Sequence, residues 1–262
     1  MRHLKPLQAI PRWLYAALMV GSIGTMGLLW LALSHWRIVD PLFLPSPADV
    51  WRTALEMLIN GSLMEHTLSS LKIIVLGWAL GAAAAIPIGI MMGAFRSFEA
   101  VLEPPIDFIR YLPVSALIPL LILYVGIDDA ARVTVIFIGT FFALVLMVAD
   151  VAARVPRELL DSAYTLGTRG WRIIMRVLLP ATLPGIMDNL RLTMGFAWSY
   201  LVVAEIIAAE RGLGFMILDS MRGLFVSRMF VGLIVIGLLG FAFDQLFRWL
   251  HRRLLPWAPN NS

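Results

Sequence analysis

The chain has no cysteine, which excludes disulfides, thiolate metal centres and cysteine nucleophiles and leaves the redox compartment undetermined. Charge is scarce too: Asp, Glu, Lys and Arg make up 15% of 262 residues, against about 25% in soluble domains. The lysines are Lys5 and Lys72, and neither follows a glycine. A phosphate-binding loop requires Gly-Lys-Ser/Thr, so nucleotide hydrolysis by such a loop is excluded and the chain is not read as an enzyme. The histidines, His3, His35, His66 and His251, form no pair at i, i+3 or i+4, and no metal site is expected. A membrane-embedded enzyme would need several convergent polar groups, which the apolar stretches do not offer.

What the chain has in abundance is apolar surface: 60% of its residues are hydrophobic and the mean hydropathy is +0.84. Apolar segments near 14–33, 71–95, 108–126, 132–150, 190–209 and 229–249 each approach the length that crosses a hydrocarbon core of about 30 Å. The expected fold is all-α, a polytopic membrane bundle of about six transmembrane helices forming one domain over residues 1–262. The start Met1-Arg2-His3-Leu4-Lys5 resembles the basic region of a signal peptide, but the apolar run after it is long enough to span and lacks a cleavage site, so it reads as a retained first helix. A net charge of +4 could suggest nucleic acid, yet the basic residues fall between the apolar runs, where topology and lipid account for them.

Six crossings place both termini on one side. That side would hold Arg2, Lys5, Arg12, Arg96, Arg110, Arg154, Arg157, Arg169, Arg172, Arg176, Arg191, Arg248, Arg252 and Arg253, fourteen in all, against seven opposite: Arg37, Arg52, Lys72, Arg132, Arg211, Arg222 and Arg228. The excess marks it as cytoplasmic. The third segment contains Pro113 and Pro119 and is either a full span or a re-entrant, broken helix. In the second, Gly77, Gly81, Ala85, Gly89 and Gly93 form a small-residue ridge, a seam either within the subunit or between two copies. Pro87 is expected to bend that helix. After Leu44-Pro45-Ser46-Pro47, residues Val50, Ala54, Met57 and Leu58 predict an amphipathic helix at the outer interface.

Residues 151–189 predict two short helices joined by a tight corner. Pro156 suits a helix start, and Gly167 suits the left-handed residue that ends one. Glu158, Asp161, Ser162 and Thr165 share a polar face, and Leu159, Ala163 and Leu166 an apolar face. In the second helix Trp171, Ile174, Met175 and Leu178 line one face with Arg169, Arg172 and Arg176 opposite, and Pro180 and Pro184 are expected to end it. By spacing alone such a hairpin could equally rest on the inner leaflet, its arginines facing anionic lipid.

At these residues the sequence resembles the cytoplasmic EAA loop of ABC importer permeases. Asp161-Ser162-Ala163 precedes Gly167 at the spacing of that motif, and Val177, Leu179 and Pro180 occupy its later positions, with Asp for Glu, Ser for the first Ala and Val for Ile as departures. The resemblance is closest to the nitrate, sulfonate, taurine and bicarbonate branch. It extends through Leu44-Pro45-Ser46-Pro47, Ala116-Leu117-Ile118-Pro119, Tyr124-Val125-Gly126-Ile127-Asp128, Val203-Ala204-Glu205 and Gly212-Leu213-Gly214. It implies an inner-membrane permease paired with a second permease copy, cytoplasmic ATPase subunits that carry the ATP and Mg, and an extracytoplasmic substrate-binding protein. It also implies that the region around Asp161, Ser162, Ala163 and Gly167 couples to the ATPase, with Glu158 and Tyr164 as neighbours.

Two carboxylates fall inside apolar segments. Asp244 has Arg248 one turn away on the same helix, a local partner. Glu205 has none, and is either an inter-helix hydrogen-bonding group or a residue bordering the translocation path. Ser199 and Tyr200 add neutral hydroxyls to that path or serve only in packing. The expected cargo is a small anionic solute such as a sulfonate, taurine or nitrate, or else an aromatic acid or a pyrimidine. An ion-coupled secondary transporter using Glu205 and Asp244 is the competing mechanism, weakened by the lack of a visible internal repeat.

Overall fold

A computed structural model describes residues 11–257. The elements are helices α1 (Arg12–His35), α2 (Pro47–Ile59), α3 (Ser62–Ala94), α4 (Arg96–Arg110), α5 (Val114–Val125), α6 (Asp129–Ala153), α7 (Arg157–Thr165) and α8 (Trp171–Ile173), a π-turn (Ile174–Leu178), α9 (Leu179–Ala208), α10 (Leu213–Arg222) and α11 (Val226–Leu254). Among the described residues there is no strand. Five helical stretches are long and apolar enough to cross a membrane, and α4 with α5 forms a sixth, bent by 96°. The basic start at Arg2 and Lys5 lies outside the described residues.

The small-residue ridge is a seam inside the subunit. A Cβ on Gly77 would lie 2.7 Å from Ile136 Cβ, one on Gly81 2.7 Å from Thr140 Oγ1, one on Gly89 2.7 Å from Val148 Cβ and one on Gly93 2.5 Å from Ala152 Cβ. No side chain fits in such gaps. Ala85 is fully buried in the same row, beside Leu144, Val145 and Val148. Each glycine meets the residue 59 positions later (77 and 136, 81 and 140, 89 and 148, 93 and 152), so α3 and α6 run parallel in fixed register. In lipid, where apolar side chains gain nothing by leaving solvent, this close backbone approach is what drives the pairing. Pro87 lies within α3, which continues unbroken through it.

Parallel packing decides the third segment. The chain leaves α3 at one end of the bundle and enters α6 at the other, so residues 95–128 must return across it. α5 has twelve residues and rises only about 18 Å, short of the ~30 Å core. The break between α4 and α5 lies within that return, and Arg110 at the end of α4 borders the same space as residues of α5 and α6.

α9 packs antiparallel between α3 and α6: Trp78 donates to Thr193 Oγ1 at 3.2 Å and Asn189 donates to the Met147 carbonyl at 3.0 Å. It does not begin after Pro184. A helix runs without interruption from Trp171 to Ile207, because the π-turn at Ile174–Leu178 widens the ladder where the Pro180 ring would otherwise strike the carbonyl one turn earlier. The wide turn also rotates the faces: Ile173, Ile174 and Leu178 are buried, whereas Trp171 and Met175 are exposed. α2, capped by the Ser46 hydroxyl at 3.1 Å from the Asp49 amide, buries Val50 and Met57 against α10 and α11, and Leu58 points away. α1 stands nearly bare, held by Trp30, which stacks on Phe230 and donates to the Pro45 carbonyl.

Glu205 is fully buried and hydrogen-bonds between helices. Ser70 donates to Oε1 at 2.6 Å and the Gly214 amide to Oε2 at 2.7 Å, while the Leu213 amide donates to Ser70 Oγ at 2.8 Å. The Gly212 amide donates to His66 Nδ1 at 3.2 Å. The unsatisfied first amides of α10 are thus capped by side chains of α3 and α9. Gly212, at φ +127°, lies flat against the Glu205 carboxylate, where a Cβ would collide with it. Nearby, Lys72 pairs with Asp129 and Arg211 with Glu65, and Arg132 donates to the Arg211 carbonyl. Asp244 gains a second partner from another helix, Arg191 on α9, beside Arg248.

Two outcomes follow from this packing. Ala85→Leu overpacks the seam and should cost about 1–3 kcal/mol, lowering the melting temperature in detergent, whereas Ala85→Ser should melt close to the parent. Glu205→Leu leaves the Ser70 hydroxyl and Gly214 amide without their acceptor, at about 1–3 kcal/mol for each buried group. Limited proteolysis should then cut near residues 209–212 faster than in the parent.

Candidate functional site

Two places gather the sequence-derived candidates. The first is a cavity of about 360 Å³ at the corner between α4 and α5. Ser199 and Tyr200 of α9 line it, together with Arg110 and Tyr111 of the corner, Ser115 of α5 and Gly139 of α6. Gly139 is required there: a Cβ would lie 2.5 Å from Tyr200 Cδ2, so only a bare backbone lets the ring lie against α6. Glu205 does not line this space; it is held in the capping cluster of α10. The hydroxyls of Tyr111, Ser115, Ser199 and Tyr200 and the guanidinium of Arg110 give an otherwise apolar wall its polar groups.

Arg110 is oriented by its own helix. Its Nε lies 2.9 Å from Asp107 Oδ1, its Nη2 donates to the Tyr111 hydroxyl at 3.1 Å, and its guanidinium sits 4.8 Å from the centre of the Tyr111 ring. Sequence reasoning missed this residue because it stood at the edge of an apolar run. The available signal was an Asp and an Arg at i, i+3 immediately before the Pro113 break. Arg191 and Ser70 were missed for a different reason, since their partners Asp244 and Glu205 lie 53 and 135 positions away.

The second place is the hairpin that joins α6 to α9. α7 ends as its glycine requires: Gly167 has φ +83°, its amide donates to the Tyr164 carbonyl at 3.0 Å, and the Thr168 amide donates to the Ala163 carbonyl at 2.9 Å. These are the two bonds of a Schellman ending, which satisfies carbonyls the helix leaves open. Glu158, Asp161, Ser162, Tyr164 and Gly167 are exposed, and Ala163 is buried against the bundle. The inward face is Leu160 and Ala163, not Leu159, Ala163 and Leu166: Leu159 is exposed and Leu166 is 85% exposed. The nine-residue helix rests on the wide π-turn rather than on a straight helix, and that turns its apolar edge outward. Its outer surface therefore mixes two carboxylates, Glu158 and Asp161, with Leu159, Tyr164 and Leu166. Among the described residues, no group of His, Asp or Glu could hold a metal ion.

The family described as binding-protein-dependent transport system inner membrane component matches residues 85–256. A probable ABC transporter permease of Brucella melitensis is 37% identical over 82% of this chain and 87% of its own length. The taurine transport system permease protein TauC of Escherichia coli is 32% identical over 94% and 92%. Among solved structures, an inward-facing form of the MetNI methionine ABC transporter superposes with a TM-score of 0.63 at 18% identity, covering 74% of this chain and 97% of the matched one. The fold is that of ABC transporter permeases, and the match spans the bundle, the cavity and the hairpin alike. The chain therefore belongs to the binding-protein-dependent inner-membrane permeases of ABC importers, non-enzymatic membrane subunits, in their sulfonate, taurine and bicarbonate branch.

Proposed function

We propose that this chain is the permease subunit that carries a small anionic solute, a sulfonate such as taurine or a comparable oxyanion, through the inner membrane at the expense of ATP hydrolysed by a separate subunit. One permease domain spans the chain, both termini are cytoplasmic, and a second copy completes the path within the lipid bilayer. An extracytoplasmic binding protein delivers the solute, and ATP and Mg reside on the ATPase. Ser199 and Tyr200 line the path, and Glu205 holds one of its walls in place from behind. The observation that carries this reading is the hairpin. A short helix anchored inward by Ala163 presents Glu158, Asp161, Ser162, Tyr164 and the Gly167 corner outward, and its base continues without a break into α9, which lines the cavity. Force applied to α7 is thereby delivered to the path.

Reconstitution with and without the ATPase tests the mechanism. Taurine uptake is expected only with ATPase, binding protein and ATP together; uptake by this chain alone, driven by a proton gradient, would establish a secondary transporter instead. Gly167→Val should insert normally, because a Cβ there meets nothing within 4 Å, yet strain the left-handed corner by about 1 kcal/mol or more. ATPase recruitment or ATP-driven uptake should fall severalfold, while Gly167→Asn, which tolerates that conformation, retains most of it. Orientation is checked on Ser162→Cys, clean in a cysteine-free chain: an impermeant thiol reagent should label it in inverted vesicles and leave it unlabelled in intact cells.

A further inference from the structure

Arg110 and Asp107 occupy an unusual position for a charged pair. α6 begins at Asp129, and Gly139, which shares the cavity with Arg110, lies ten residues deeper, about 15 Å along the helix. With the start of α6 taken as the edge of a ~30 Å core, that is close to its middle. Each side chain of the pair is 40% exposed. A charged group so exposed at that depth is costly against lipid, by about 2.5 kcal/mol or more, so this face of the bundle opens on water or on protein. It is the face that carries the hydroxyls of Ser199 and Tyr200.

The charge that reaches the cavity is of one sign. Arg110 lines it, whereas Asp107 does not, and neither does any other carboxylate. Asp107 pairs with the guanidinium through Nε and the Tyr111 hydroxyl accepts one N–H of Nη2, which leaves further guanidinium donors without a protein acceptor among the described residues. The first turn of α5, at Val114 and Ser115, borders the same space, so the partial positive charge of a helix start adds to the field. Glu205, whose carboxylate would repel an anion, is fully buried in the α10 cap. We infer that Arg110 is the specificity-determining residue of the path, a guanidinium at mid-membrane that favours sulfonate-like or other oxyanions over cations, with Asp107 as the counter-charge that tempers it. This deepens the permease reading and rests on it.

The test separates the two. In intact cells making the complete transporter, the Ser115→Cys chain is reacted with two methanethiosulfonates, one bearing ethylsulfonate and one ethyltrimethylammonium. Each rate is divided by that of the same reagent on a free thiol. The anionic reagent should be favoured, Arg110→Gln should cut that preference about tenfold, and Arg110→Lys should keep most of it. Asp107→Asn, which removes the counter-charge, should raise it and serves where Arg110→Gln does not accumulate. Reaction with both reagents at a ratio unmoved by all three variants overturns the role of Arg110 and leaves the path standing. Absence of reaction with either reagent, in resting and in actively transporting cells, overturns the path itself and the inference with it.

Discussion

The interaction on which the rest of this molecule depends is the contact between α3 and α6 through Gly77, Gly81, Ala85, Gly89 and Gly93. It brings two backbones together in parallel, and parallel neighbours in one chain demand a return crossing. The return is made by two helices, α4 with its charged residues and the short apolar α5, and it is bent by 96°. The bend in turn creates the cavity, because α5 cannot lie flush against α6 and α9 where the chain turns. A glycine seam thus determines where a polar opening appears. The cavity is a consequence of topology, lined afterwards by residues suited to it.

The polar groups of the bundle divide by what they meet. Glu205 is entirely enclosed and every bond it accepts comes from neighbouring helices, so it holds α3, α9 and α10 in one arrangement. Asp244 bridges Arg191 and Arg248 between α9 and α11. Both act as ties, and the fully buried one at Glu205 is expensive to break once made. Arg110 differs, since its partner Asp107 sits on the same helix and links no two elements. A charge kept at depth without fastening helices together has its purpose in the space it faces.

Much of the architecture was legible because a bilayer imposes simple rules. Apolar runs of sufficient length located five spans, the left-handed corner at Gly167 followed from its spacing after Pro156, and the small-residue ridge pointed to a close helix contact. What escaped was long-range or cooperative. That the ridge packs within the subunit follows only from its 59-residue register with α6. Ser70 looked like an ordinary helical serine, and its role depends on a carboxylate 135 positions away. Pro180 and Pro184 read as terminators by local propensity, but the π-turn absorbs the first and tertiary packing carries the helix past the second. The same turn exchanged Met175 and Trp171 for Ile173 on the buried face, a shift no fixed 3.6-residue pattern anticipates.

That uninterrupted helix has a mechanical consequence. Had it ended at Pro180, the hairpin and the cavity would be joined by a flexible corner, and motion at α7 could dissipate there. Instead one stretch from Trp171 to Ile207 has the hairpin at its base and Ser199 and Tyr200 toward its far end. It is stiffened by Asn189 on the Met147 carbonyl and by Thr193 with Trp78. Its π-turn lies directly beneath α7, where i+5 bonds are weaker than i+4 bonds and a helix yields readily. A rod with a compliant joint at its base converts a small displacement of the hairpin into rotation of the distal face. Tyr200, packed against the bare backbone of Gly139, is where such a rotation meets α6. The ring must slide along that backbone or lift from it, and either movement changes the width of the cavity that Arg110 faces.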